Sequence, residues 1–485
     1  MTEDLIRLPA RDVVRLLRRG TVSPLDLIDA ALARHAAVDG AVNAVPTLCP
    51  ERARAAARRL MDDPGGLDVS APGWLAGLPV LIKDLVDVAG VRSTQGSPLF
   101  ADHVPDRSDL SVETLERRGA IVLGKTNTPE FGAGANTFNP VFGATRNPHD
   151  TRLTCGGSSG GAAVALATGM AWLATGSDMG GSLRIPAAFC GVVGLRPSPG
   201  RVARGPVPDP WCPLSVEGPM ARDVADCALL LDAQTGAAAG DPLALEGPAL
   251  PFLAAAERPQ APARVGWSPD LGLWPVDPEI RAVCEAAVRR FEDAGTVVEA
   301  AGPDFTGALD VFHALRAGAF VARLGPLLET VRDQLKPDVI WNIERGMAQT
   351  QADLAAAWRG RAALTARVAA FFETYDLLAC PTTSVPPFPV EQRFVEAVGD
   401  NRFANYVDWL GITYTLTLTG CPVLSIPVGT TAVGLPVGLQ LMARPRAEAA
   451  LISAAALLEG LLNRPSVPIT PRGEQAIRDH SHGSA

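Results

Sequence analysis

The run CGGSSGGAAVALATG at 155–169 constrains the fold of this 485-residue chain more than any other. Four glycines bracket Ser158 and Ser159, and a helix pattern of small residues follows at once. The run is too short for a flexible linker and lies in the densest apolar region, 74–235. Around it, short apolar runs at 78–82, 120–123 and 192–195 alternate with glycine-rich turns and helical patterns. That alternation argues for an α/β fold with a mixed or parallel sheet.

The same reading extends outward. Residues 9–20 and 24–38 read as helices, the second opened by Ser23-Pro24; their arginine-rich faces are expected in solvent or against a neighbouring subunit. Residues 236–262, rich in Pro and Ala and without period, read as a linker. A strand at 263–267, a helix from Asp277-Pro278 to Gly295 and a strand at 297–300 form one βαβ unit. A helical segment at 303–372 follows, then strands at 377–380, 423–428 and 437–442, a helix at 448–462 and a polar tail at 479–485. The expected organisation is N-terminal helices (1–70) on a core (71–235), a linker (236–262), a remainder of the same α/β domain (263–470) and a tail (471–485).

Charge and cysteine usage exclude several function classes. Lys plus Arg number 43 against 52 Asp plus Glu, a net charge of -9, which argues against nucleic acid or an anionic membrane as partner. No pair of the 8 cysteines has CxxC spacing and no Cys/His cluster suggests zinc, so reduced core thiols are expected. The N-terminus lacks the apolar stretch of a signal peptide, and no run approaches the roughly 18 apolar residues of a spanning helix. A cytoplasmic protein is expected.

Three stretches carry chemistry. GLPVLIKDLVDVAG (77–90) sets Lys83 after an apolar run. Such a lysine can snorkel from a strand edge or pair with Asp84. On a buried strand, desolvation disfavours its ammonium. To serve as a base near neutrality its pKa must fall by about three from a reference near 10.4, roughly 4 kcal/mol of differential solvation. The second stretch contains GxSxG at 156–160, which invites a nucleophile elbow with a histidine base; only His313, His480 and His482 follow. The third, GSDMGGSLRIPAAFCGVVGLRP (176–197), could gather the N–H groups of Met179, Gly180, Gly181 and Ser182 into an oxyanion hole. A phosphate nest is the alternative, but this stretch has neither the GK[ST] ending of a P-loop nor the GxGxxG of a dinucleotide site.

Together these stretches resemble the amidase-signature hydrolases, whose hallmark is a Ser–cis-Ser–Lys triad in a Gly/Ser-rich core. The matching positions are Lys83, Ser158 and Ser182, with 24 residues between the serines and 99 from lysine to second serine. GKTNTPEFG (124–132), FGATRNP (142–148), FCGVVGLRP (189–197), SVEGPMARDVADCALLLD (215–232) and TGCPVLSIPVG with GLPVGLQLMA (419–443) extend the likeness over about 5–460. The resemblance implies one large α/β domain, a central twisted mixed β-sheet covered on both sides by helices. It also implies amide cleavage through an acyl-enzyme, with Ser182 as nucleophile, Ser158 as relay after a cis peptide, and Lys83 as base. Ser159 and Asp178 would support these groups, Arg184 would be a buried ion-pair partner, and neither metal nor organic cofactor is needed. Ser177 stands where Thr is common and Cys155 where Pro is common; Cys155 lies close enough for thiol reagents to inhibit.

The rival within the resemblance is the glutaminase subunit of a glutamine-dependent tRNA amidotransferase. Its SLDQxGP-like stretch is replaced by Leu214-Ser215-Val216-Glu217-Gly218-Pro219, and loss of the Asp-Gln pair argues for a stand-alone amidase. A catalytically dead scaffold is disfavoured because Lys83, Ser158 and Ser182 are all retained. The loops at 136–142, 206–214 and about 310–360 are expected to set substrate choice. Phe138, Trp211, Trp341 and Met347 would be pocket walls suited to small-molecule aryl, anilide or aliphatic amides, with carbamates and esters chemically close. The N-terminal helices are compatible with a homodimer.

Overall fold

The computed structural model describes residues 2–63 and 65–473. One 11-stranded sheet runs through it, in the order Thr47–Leu48, Ile121–Thr126, Pro79–Lys83, Leu173–Asp178, Val216–Ala221, Val193–Arg196, Val423–Thr430, Pro436–Ala443, Leu377–Pro381, Arg264–Trp267, Val297–Ala300. Pro79–Lys83 is parallel to both of its neighbours, the middle of the sheet is antiparallel, and the last three strands are parallel again. Every residue of Pro79–Lys83, Ile121–Thr126, Val216–Ala221 and Pro436–Ala443 is buried, as in a sheet covered on both faces. The βαβ unit at 264–300 is present, its strands paired in parallel beyond Leu377–Pro381.

The Gly/Ser run owes its composition to close packing. Gly160–Thr168 is a helix buried at every position. A Cβ on Gly160 would collide with Thr137 and Cys155, and one on Gly161 with the backbone of Asn127 and Ala44. Only glycine admits these approaches.

Three expectations are corrected. The N-terminal arginines are not simply solvated: Arg11 pairs with Asp223 and Asp226, while Asp226 also accepts the N–H groups of Ala10 and Arg11. The 236–262 segment contains a helix, Phe252–Glu257, whose first N–H groups are accepted by the Asp232 carboxylate at 2.7 and 2.9 Å and whose Phe252 is buried. Six residues are too few for a period to show in sequence. Finally, Ala308–Gln334 is long and apolar enough to span a membrane by composition. Half of its most apolar stretch is buried, and the helix packs against Pro337–Met347 and Gln351–Phe371, so its apolar length serves as a core helix. The tail at 479–485 lies outside the described residues.

Candidate active site

Parallel strands present their carboxyl ends on one edge, where open α/β sheets bind ligands. Lys83 ends its strand there, next to Ser177 near the end of Leu173–Asp178. The Lys83 Nζ lies 2.7 Å from Ser158 Oγ, 2.9 Å from Ser159 Oγ and 3.0 Å from Ser177 Oγ. Lys83 is fully buried, and that burial draws its pKa down to about 7 against the weaker upward pull of Asp178 and Glu217. Among the described residues no carboxylate pairs with it; Asp84 instead pairs with Lys125 at 3.1 Å. Adjacent residues at a strand end face opposite ways, so the sequence neighbour of Lys83 is not its partner.

The three hydroxyls match the valences of a neutral amine, two N–H donors and one lone pair. Ser159 Oγ donates to the Ser177 carbonyl at 3.3 Å, so towards Lys83 it acts as acceptor. With a second N–H on Ser177, the amine lone pair is left for the Ser158 hydroxyl. The Gly157–Ser158 peptide is cis.

Ser182 sits in the turn between Leu173–Asp178 and the helix Arg184–Cys190, and its carbonyl accepts the Ser159 N–H at 3.2 Å. Of the four expected oxyanion donors, Gly181 is withdrawn: its N–H donates to Asp178 Oδ1 at 3.0 Å. The N–H groups of Met179, Gly180 and Ser182 have no partner among the described residues, and these three residues line the cavity. Asp178 anchors the turn. Burial alone would raise its pKa, but Arg184 and Arg196 outweigh this and hold it down to about 2. Arg184 spends its whole guanidinium on Asp178, Thr413, Thr417 and Gln440. It is a structural ion-pair partner.

A cavity of about 1040 Å³ opens over Ser158, Ser177 and Ser182. Its apolar walls include Phe131, Phe312, Phe320, Leu324, Tyr406 and Leu410. None of Phe138, Trp211, Trp341 and Met347 lines it. Phe138 lies under the Lys336 ammonium, Trp211 and Met347 face outward, and Trp341 packs between His313 and Tyr406. The helical roof rotates Phe312, Arg316 and Phe320, four residues apart, onto the cavity instead. That spacing was the available sequence signal. Ser177 and Glu217, also missed, face each other across paired strands. Burial, with Asp109 adding to it, pushes Glu217 well above the usual carboxylate range.

The nucleophile-elbow alternative finds no support. Ser158 meets a lysine, while His313 is bound to Asp408 at 2.8 Å and is not on the cavity wall. His480 and His482 lie outside the described residues. Cys155 is fully buried, and burial pushes its thiol up to about 12.

The covered mixed sheet thus carries, at its carboxyl edge, a Gly/Ser turn site in which a buried lysine meets three serine hydroxyls. The Amidase family model matches residues 26–452, and the chain belongs to the amidase-signature family, hydrolases of carbon–nitrogen amide bonds. It is 34% identical to an acylamidase of Rhodococcus erythropolis, across 95% of this chain and 97% of that one. It is 35% identical to a glutamyl-tRNA(Gln) amidotransferase subunit of Moorella thermoacetica, across 94% and 97%. The crystal structure of a bacterial aryl acylamidase superposes with a TM-score of 0.85 at 28% identity, covering 94% of this chain and 96% of that one.

Proposed function

We propose that this chain is a stand-alone acylamidase in which Ser182 is the nucleophile and Lys83 the base, acting through Ser158. The observation that carries the reading is the buried Lys83 amine, depressed to about 7 and 2.7 Å from Ser158 Oγ. In this scheme Ser158 gives its proton to Lys83 and takes the proton of Ser182 as Ser182 attacks the carbonyl carbon. The oxyanion is received by the N–H groups of Met179, Gly180 and Ser182. As the tetrahedral intermediate collapses, the carbon–nitrogen bond breaks and the proton returns through Ser158 to the leaving amine. Water then enters by the same relay and releases the carboxylate from Ser182.

The aromatic wall and the absence of the Asp-Gln pair at 215–216 favour aryl or aliphatic amides over glutamine. Carbamates present the same carbonyl geometry and belong in the test. Purified protein is offered glutamine, primary amides, anilides and aryl carbamates, with Ser182→Ala and Lys83→Ala alongside, and amine release is followed. Anilide or carbamate turnover lost in both variants is expected. Glutamine-only turnover, or silence until partner subunits are added, would move the chain to the amidotransferase side, and activity surviving Ser182→Ala would remove the triad assignment.

A further inference from the structure

Arg316 stands out among the buried cations of the described chain. It is only 7% exposed, it lines the cavity, and no carboxylate pairs with it. Arg184 and Arg196, wholly buried, share Asp178, and the buried Arg222, which also lacks a carboxylate, donates to the Ala171 and Leu8 carbonyls and is not on the cavity wall. The Arg316 guanidinium has two hydrogen-bond partners: Nη1 donates to Met179 Sδ at 3.3 Å and Nη2 to the Tyr406 hydroxyl at 2.6 Å. Its Nε–H has none. The rings of Phe320 and Tyr406 flank it at 4.5 and 5.7 Å, fixing its plane without neutralising its charge. A cation removed from water and left without a counter-charge is costly, so a buried charge is ordinarily paired.

Tyr406 adds a second donor. Its oxygen already accepts N–H groups from Arg316 and Asn342, both at 2.6 Å, so its own hydrogen is free to donate into the cavity it lines. Two donor groups, one of them cationic, are thus bonded to each other on the cavity wall, and among the described residues no carboxylate pairs with the cation. They also lie close to the reacting atoms: Met179 precedes Ser182 by three residues, and Phe312, one turn before Arg316, packs on Gly180.

Building on the acylamidase reading, we propose that Arg316 and Tyr406 form a carboxylate-recognition subsite, so that the preferred substrate is an amide carrying a free carboxylate. The carboxylate supplies the charge and the acceptor oxygens that the protein itself does not.

Two matched pairs of anilides separate the acyl side from the amine side. The first is glutaric mono-4-nitroanilide against pentanoic 4-nitroanilide, the second 4-acetamidobenzoate against 4-methylacetanilide. In at least one pair the anionic member should have at least about a tenfold higher kcat/KM. The ratio should collapse to about one in Arg316→Met, fall only in part in Arg316→Lys, and weaken in Tyr406→Phe. Calorimetric binding of the same four compounds to Ser182→Ala, with and without Arg316→Met, reads the subsite without turnover. No hydrolysis of any anilide, with anion-selective binding that Arg316→Met abolishes, would sink the catalytic reading and leave the subsite standing. Equal or weaker binding and turnover of the anionic members, or a ratio unchanged in folded Arg316→Met and Arg316→Lys, would overturn the proposal.

Discussion

At the scale of residues, the decisive quantity is the protonation of Lys83. With its pKa near 7, activity should rise through an acid limb centred there, because only the neutral amine can take the Ser158 proton. Lys83→Met should lower kcat by about 10³-fold or more, and Lys83→Arg should not rescue it, since guanidinium stays protonated. The same residue bears on stability. Between about 7 and 10.5 the unfolded chain holds a proton on Lys83 that the folded chain has lost, so this group makes stability rise with pH across that window. Denaturant titrations of wild type and Lys83→Met at pH 7 and 9 should show a smaller gain for the variant. Cys155 illustrates where position in sequence misleads. It adjoins the catalytic loop, yet its thiol is enclosed and its pKa is raised to about 12, so iodoacetamide at pH 7.5 should leave activity intact. Rapid inactivation tracking with Cys155 labelling would contradict that enclosure.

At the scale of elements, strand pairing sets the chemistry beside the triad. Ser177, which touches Lys83, is opposite Glu217 in the antiparallel register of Leu173–Asp178 with Val216–Ala221. A carboxyl kept neutral there by burial adds no charge to the cavity it lines beside Ser177, whereas the ionised Asp178 is already paired with Arg184 and Arg196. Once Glu217 ionises at higher pH, its charge should oppose the oxyanion and favour protonated Lys83, giving the rate an alkaline limb. Glu217→Gln should flatten that limb and extend the plateau; an unaltered limb would mean another group controls it. The reason this pair escaped sequence reading is physical. Ser158 and Ser182 are announced by local glycine patterns and Lys83 by the apolar run before it, whereas Glu217 meets Ser177 only through strand register, which no local pattern encodes. The pocket shows the same divide. The 303–372 segment is legible as helix, but which of its faces roofs the site follows from how three helices pack. Large aromatics such as Trp211 and Trp341 were therefore poor guides, and the Phe312, Arg316, Phe320 stripe was the informative one.

At the scale of the whole molecule, the sheet joins what composition divides. Alternating patterns on either side of 236–262 disclose strands, but not that Val193–Arg196 pairs with Val423–Thr430, a contact between the two halves of the chain. Long-range pairing of this kind has no local signature, and it makes the halves mutually dependent. Ser182 is supplied by the first half, and the Thr413 and Gln440 groups that hold Arg184 come from the second. Covalent continuity through 236–262 should then matter less than the shared sheet. A protease site introduced at the exposed Leu250, just before the anchored helix Phe252–Glu257, tests this directly. After complete cleavage the two fragments should co-elute and keep most of the activity, whereas residues 1–235 expressed alone should lack a cooperative melt, with a sheet edge left bare. Separation of the fragments on cutting, or a cooperative transition in 1–235 alone, would show that the sheet is not the bond between the halves and that each side carries its own folding unit.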